Sequence, residues 1–325
     1  MTQALHQPIA SFDLAGSWQA DMETKAVQQR IKALTQRYLS FEHLSDRLND
    51  LPQQFSNPQV RPWQKISWQN ISPAQVVGIE LDVFLKILMG AINTEAPIHD
   101  YTQASRQYLE AIHPSMAKFV GGSLTPEGRI QELGLWEKEE RQHTPALSRI
   151  YTQLAGEKPL ATPHNARSFQ PVSDPRAALY RHGVHRVATE YGATCLYLWM
   201  MAHTTGALQQ VLQELLIDEV NHMTKFWGFG CWLYPEASMM QTGWMLLKSS
   251  GGKLGYQRDR SHLFGTLHRM TKTLAWSDWS WSNRQTFVVT CWQVLQQMQT
   301  WLKTLKRQEL EALLQAEKPA SCMHL

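Results

Sequence analysis

Two copies of the pattern Glu-x-x-His suggest what chemistry this chain could perform. They are Glu140-Arg-Gln-His143 and Glu219-Val-Asn-His222. A Glu and a His three positions apart lie on one face of an α-helix, so each pair can offer a carboxylate oxygen and an imidazole nitrogen to one metal ion. Two such pairs predict two metal ions, provided that two further helices each supply a carboxylate.

Four long helices are predicted to position these pairs. Their starts are marked by a capping side chain followed by proline, and their ends by glycine or by a proline that stops the helix. The predicted helices run over residues 73–113, 126–156, 175–206 and about 207–228. Because alternating strand patterns are sparse, we expect an all-α fold.

Apolar residues recur at helical spacing on both sides of each Glu-x-x-His pair. In the second helix the stripe is Ile130, Leu133, Trp136, Glu140, His143, Leu147, Ile150 and Leu154. Such a stripe faces a protein interior, where an ionised carboxylate is costly unless it is paired or bound to metal. The third helix carries one carboxylate in the same central position, Glu190, which we expect to be its ligand.

The first helix offers three carboxylates, Glu80, Glu95 and Glu110. Antiparallel helices must bring their ligands to one level, and Glu140 and Glu190 both lie near the middle of their helices. The central carboxylate of the first helix is Glu95, which is therefore the predicted ligand. If this helix ended at the Pro97 break, Glu80 would be better placed.

The composition is that of a globular protein with a sizeable core. The chain has 325 residues, of which 43% are apolar and 18% are charged, and its formal net charge is +3. Lys and Arg are scattered, so no nucleic-acid partner is expected. The four cysteines form no CxxC pattern, which argues against a thiolate zinc site and favours a reducing, cytoplasmic compartment.

Neither a secretory signal nor a membrane span is predicted. The first thirty residues contain acidic side chains and no apolar core segment. The stretch from Tyr191 to Gln213 is free of formal charge, but it contains His203 and Gly206, so we expect two helices that meet at a turn. His182 and His185, which lie between Arg181 and Arg186, are expected to face solvent or an interface.

These motifs resemble the ferritin-like di-iron carboxylate superfamily and are most similar to the soluble acyl-carrier-protein desaturases. The similarity covers roughly Asp82 to Trp227. It is carried by the segment from Asp82 to Glu95, by Glu139-Glu140-Arg-Gln-His143 and by Asp218-Glu219-Val-Asn-His222. The resemblance implies that the iron ligands are Glu95, Glu140, His143, Glu190, Glu219 and His222, with Glu140 and Glu219 as bridging carboxylates.

The motifs also depart from the desaturase pattern. Those desaturases usually have Arg immediately before each motif His, whereas this chain has Gln142 and Asn221. The charged network around the ligands is therefore expected to differ. Asp218 is retained beside Glu219 and is expected to orient the imidazole of His143 through its second ring nitrogen.

Thr194 lies one turn after Glu190 and is the predicted catalytic residue. Oxygenases of the superfamily often have a threonine that resembles it, with a role in proton delivery or in holding water. An alternative is a helix threonine whose hydroxyl bonds its own backbone four residues earlier. The two interpretations are equally compatible with the sequence.

The resemblance implies one ferritin-like domain over residues 1–325. Its core four-helix bundle would span residues 72–230, with a helical extension over 1–71 and additional packed helices over 231–325. The implied function is an oxygen-dependent di-iron oxidoreductase that desaturates or hydroxylates an apolar, acyl-type substrate. The alternatives are a di-iron oxidase or N-oxygenase for another small substrate, and an iron-storage or peroxide-detoxifying protein.

The cofactors and partners follow from the same implication. The cofactor would be two iron ions, and manganese would also fit four carboxylates and two imidazoles. Partners would be dioxygen, a small electron donor such as ferredoxin, and an acyl substrate that an acyl carrier protein could present. A homodimer is compatible with these expectations.

Overall fold

Helices dominate the described structure, as the sequence predicts. A computed structural model describes residues 14–42, 59–162, 174–233 and 274–304. The α-helices of these residues are α1 (Leu14–Leu39), α2 (Leu81–Glu95), α3 (Ile98–Glu110), α4 (Pro114–Gly121), α5 (Leu135–Ala155), α6 (Pro175–Ala202), α7 (Gly206–Leu233) and α8 (Trp281–Thr304). Most of the predicted C-terminal segment, residues 231–325, lies outside the described residues.

The predicted first helix is wrong as a single element. Pro73 begins only a short 3-10 turn, Pro73–Gln75, after which Val77 donates its backbone N–H to the carbonyl of His203 at 2.9 Å. That pairing ties the chain to the end of α6, and the helix proper begins at Leu81. The predicted span is interrupted again at Pro97, which has no backbone N–H to donate within a helix, and α3 covers the rest of it. The predicted end at His113 is close to the observed one, and α4 begins at the next residue, Pro114.

The predicted second helix begins nine residues later than the Thr125-Pro126 signal indicates. Residues Ser123–Leu124 (β1) and Ile130–Glu132 (β2) form a small antiparallel hairpin, with Gly128 at φ +80° in its turn. Ile130, assigned to the inward stripe, is therefore 41% exposed. The helix ends as predicted, because Gly156 adopts the left-handed conformation that terminates α5.

The third and fourth helices agree well with their predicted limits. α6 begins at Pro175, and α7 follows it after the turn at 203–205. The uncharged stretch is thus two helices that meet at a turn, as expected. None of the described helices combines the length and apolar character that a membrane span requires.

Packing brings α2, α5, α6 and α7 together around one buried core. α2 contacts α5, α5 contacts α7, and α6 lies along α7. α1 and α8 pack against α6 from outside this group. The indole of Trp199 on α6 stacks on that of Trp279, just before α8, with ring centroids 4.5 Å apart. Aromatic stacking therefore joins the later part of the chain to the central helices.

Candidate metal centre

The six predicted metal ligands lie together between α2, α5, α6 and α7. One ligand atom from each of Glu95, Glu140, His143 and Glu219 lies within 4.8 Å of the others. A second group with the same spacing consists of Glu140, Glu190, Glu219 and His222. The six side chains are at most 9% exposed. Glu140 and Glu219 belong to both groups, which is the position expected of carboxylates shared by two metal ions.

The two other carboxylates of the predicted first helix are outside the cluster. Glu80 is exposed at the N-cap of α2, and Glu110 lies at the end of α3, where it pairs with Arg106 at 2.9 Å. The helix does stop at Glu95, yet the expectation that Glu80 would then be better placed is wrong. Because α2 begins at Leu81 instead of Pro73, its last residue reaches the level of Glu140.

Both imidazoles have the same orientation. The Nδ1 atom of His143 lies 3.2 Å from Glu140 Oε2 and 3.2 Å from Glu219 Oε1, and Nδ1 of His222 lies 3.1 Å from Glu140 Oε1. Their Nε2 atoms point outward, to Asp218 Oδ2 at 3.4 Å and to Glu139 Oε2 at 2.9 Å, respectively. A carboxylate that accepts from Nε2–H leaves a lone pair on Nδ1, directed at the cluster.

The Asp218 contact is the one predicted from the sequence, and the Glu139 contact is its counterpart. Sequence reasoning missed the role of Glu139, although a signal existed. Glu139 precedes Glu140 just as Asp218 precedes Glu219. Each helix therefore supplies a carboxylate that orients the histidine of the other helix.

Several inward atoms of the cluster have no hydrogen-bond partner among the described residues. They are Nδ1 of His143, Nδ1 of His222, Oε1 of Glu190 and both carboxylate oxygens of Glu219. Buried polar atoms without partners are costly, and several carboxylates so close together repel one another. A cation relieves both penalties, and the mixed oxygen and nitrogen donors suit iron or manganese. The residues therefore fit a metal site.

The pKa shifts of the clustered side chains also favour a metal site. Burial, reinforced by the Glu140 carboxylate, raises the pKa of Glu95 to about 8, and the same causes raise the pKa of Glu219 well above its ordinary value. Burial opposes the imidazolium form of His143, but Glu140, Asp218 and Glu219 prevail and raise its pKa well above the ordinary value. In the metal-free protein these groups hold protons where a metal would bind, so metal and protons compete.

Arg61 connects the two orienting carboxylates. Its Nε atom donates to Asp218 Oδ1 at 2.8 Å, and its backbone N–H donates to Glu139 Oε1 at 2.9 Å. The guanidinium also donates to Glu214 Oε2 at 2.6 Å. Trp63, two residues on, donates its indole N–H to Asp218 Oδ2 at 2.8 Å.

Sequence reasoning did not identify Arg61, because it lies in an irregular segment with no helical periodicity and outside the recognisable motifs. Gln142 and Asn221, the neutral residues immediately before the two motif histidines, each bury a polar atom without a partner among the described residues. The cation beside the orienting carboxylates is supplied by Arg61, from another part of the chain.

Two aromatic side chains donate hydrogen bonds to the predicted ligands. The hydroxyl of Tyr197 donates to Glu95 Oε1 at 3.0 Å, and the indole N–H of Trp136 donates to Glu140 Oε1 at 2.8 Å. Both side chains are almost completely buried. These contacts fix the orientation of carboxylates on α2 and α5.

Thr194 is fully buried, and its hydroxyl has no partner among the described residues. Thr189, on the same helix, instead donates to the backbone carbonyl of His185 at 2.9 Å. The backbone-bonded alternative considered for Thr194 is therefore not adopted. Its hydroxyl remains available to another group one turn after Glu190.

Of the two locations predicted for His182, solvent or an interface, solvent is wrong. His182 and the nearby Arg186 are each only 4% exposed, and Arg186 donates to Ser105 Oγ of α3 at 3.1 Å. The His182 ring lies 6.1 Å from that of Tyr108 in a stacked arrangement.

Comparisons of the chain with protein-family models, curated proteins and solved structures found no match. Functional inference therefore depends on the chemistry of the buried cluster.

Proposed function

We propose that this protein is an oxygen-dependent di-iron oxidoreductase that desaturates or hydroxylates an apolar, acyl-type substrate. In this proposal α2, α5, α6 and α7 form a ferritin-like four-helix bundle. The observation that carries it is the pair of overlapping, buried ligand groups that share Glu140 and Glu219. A surface salt-bridge role would leave His143 exposed, whereas this side chain is 0% exposed.

The orienting residues prepare the ligands before any metal binds. Asp218 and Glu139 accept from Nε2 of His143 and His222, so that Nδ1 of each ring faces the centre and offers a lone pair once a metal displaces its proton. Tyr197 holds Glu95 through a hydrogen bond of 3.0 Å. Iron, when bound, supplies activation of dioxygen and removal of hydrogen from an unactivated C–H bond.

The remaining residues control water and protons. Phe119 and Trp136 both contact Phe226 edge to face, with ring centroids 5.7 and 5.6 Å apart. These packed rings keep the surroundings of Glu140 apolar and dry, which suits an apolar substrate. Thr194, with its uncommitted hydroxyl, holds or delivers a proton beside Glu190.

The test is turnover by the reconstituted full-length chain. Iron is added without oxygen, ferredoxin supplies electrons, and acyl-carrier thioesters and free acids are offered with dioxygen. We expect desaturated or hydroxylated products from the wild type and from Glu80→Ala, which removes an exposed carboxylate. Glu140→Ala should form no product, because it removes a shared ligand.

Two outcomes would contradict the proposal. One is the absence of oxidised product from every acyl substrate although both iron ions are bound. The other is unchanged turnover by Glu140→Ala. Iron uptake far beyond the ligand sites, with mineral formation, would instead favour the storage alternative.

A further inference from the structure

Arg186 is a buried cation that forms no ion pair with a described carboxylate, although the charges of Glu190 and Glu140 act on it from a longer distance. It lies on α6, one turn before Glu190, and is 4% exposed. Within the described residues, no carboxylate oxygen comes within 4.0 Å of its guanidinium. Its neighbour Arg106 is also buried but pairs with Glu110 at 2.9 Å. An unpaired buried charge is costly, so the position of Arg186 requires an explanation.

The protein leaves part of the guanidinium unsatisfied. One terminal nitrogen donates to Ser105 Oγ at 3.1 Å, and Nε has no partner among the described residues. The face of the guanidinium lies over the Trp136 ring, with its central carbon 4.7 Å from the ring centroid. Stacking fixes the orientation of the planar guanidinium and leaves the N–H donors along its edge free of the ring. A carboxylate binds to such an edge.

Arg186 is close to the candidate metal centre. The Trp136 ring that it covers donates its N–H to the ligand Glu140 at 2.8 Å. Four residues separate Arg186 from Glu190, which corresponds to about 6 Å along a helix. A group bound by Arg186 would therefore place its next few atoms beside the metal ligands.

The described residues also leave α6 uncovered about one turn before Arg186. Gly183 lies three residues before Arg186, and a Cβ added there would meet no described atom within 4 Å. Ser105, which accepts from the guanidinium, is neutral and fully buried, and the Glu190 and Glu140 carboxylates act on Arg186 only from beyond 4.0 Å. The local chemistry thus favours one added negative charge over an added cation.

We propose that Arg186 binds the carboxylate of the substrate, which identifies the substrate class as free monocarboxylic acids with an apolar chain. This inference rests on the proposed function, because it places the acid beside the oxidising centre. A single guanidinium matches one carboxylate in bidentate fashion. The phosphodiester of a carrier-bound thioester fits less well, since the pantetheine arm separates it from the acyl carbons by more than one helical turn.

The test is calorimetric binding of decanoate and of its neutral counterpart decanamide to the full-length chain. Binding is measured without oxygen, with and without added iron. We expect the wild type to bind decanoate at least about tenfold more tightly than decanamide, because hydrogen bonds to a charged partner are worth roughly 1.5–3 kcal/mol. Arg186→Gln should remove this preference, and Arg186→Lys should restore part of it.

Arg106→Gln is the matched control, since it removes a buried guanidinium that already has a partner. It should retain the preference for decanoate. Circular dichroism verifies that each variant is folded. If Arg186→Gln does not fold, the inference is tested by whether the wild type binds decanoate more tightly than decanamide.

Equal affinities of the wild type for the two ligands would overturn the inference, as would full decanoate binding by folded Arg186→Gln. So would Arg186-dependent binding of pantetheine phosphate in place of decanoate. Loss of iron binding alone would refute the proposed function and leave the carboxylate preference of the metal-free chain measurable.

Discussion

Replacement of Arg61 by Gln tests how the ligands are oriented. The substitution removes the guanidinium that donates to Asp218 at 2.8 Å and to Glu214 at 2.6 Å. Asp218 is 0% exposed, and the variant would leave it Trp63 and His143 as hydrogen-bond partners among the described residues. It would therefore lose the cation that holds it in place beneath His143.

The effect should differ between the two ligand groups. Outer partners of metal ligands typically contribute about 10- to 100-fold in metal affinity, so we expect a loss of this size in the group that contains Glu95 and His143. The other group depends on Glu139, which accepts from the backbone N–H of Arg61 at 2.9 Å and keeps that bond in any variant. Its affinity should change by less than about threefold.

Stepwise titration with Co²⁺, followed by the visible absorption of the bound ion, resolves the two affinities. Arg61→Lys restores the charge without the planar fork and should give an intermediate loss. Arg149→Gln is the matched control, because that exposed arginine lies over the Trp68 ring, at 4.5 Å, and forms no ion pair with a described carboxylate. Equal affinities in Arg61→Gln and the wild type, or an equal loss at both sites, would refute the orienting role.

Three further results are expected. Iron binding near pH 7 should release protons, because burial raises the pKa of Glu95 to about 8 and the neighbouring carboxylates raise the pKa of His143. The affinity for iron should therefore fall as the pH falls. Calorimetry in buffers of different ionisation heat measures the number of protons released, and a value of zero would contradict this competition. Thr194→Val should keep both iron ions yet slow turnover by about 100-fold, and unchanged turnover would remove its proton role. Leu147→Ala, at a fully buried position of α5, should lower the free energy of unfolding by about 2–5 kcal/mol in chemical denaturation, whereas a loss below about 1 kcal/mol would mean that this core site is loosely packed.

Local sequence signals predicted helix boundaries correctly where the conformation of a single residue determines the boundary. Gly156 ends α5 because it takes the left-handed conformation, and Pro175 begins α6 because its missing N–H is harmless there. The same kind of signal at Pro73 and Thr125 marks only a turn. Whether a helix continues there depends on contacts with distant residues, such as the pairing of Val77 with His203, which periodicity does not encode.

In the candidate site, too, some residues were predictable from local sequence patterns and others were not. Spacing on one helix predicted the Glu140 and His143 pair, and comparing helix lengths selected Glu95 and Glu190. Arg61 and Tyr197 contact the site through bonds to residues 157 and 102 positions away. No local pattern links residues so distant in sequence, so these orienting groups became visible only in three dimensions.

The magnetic state of iron in the wild-type chain tests the shared-ligand centre most directly. Full-length protein is loaded with ⁵⁷Fe without oxygen, oxidised, and measured by Mössbauer spectroscopy alongside metal analysis. Two iron ions per chain whose spins couple into one diamagnetic ground state are the expected result, since Glu140 and Glu219 belong to both ligand groups. One iron per chain, or two with the spectrum of isolated high-spin ferric ions, would contradict a centre built on shared carboxylates.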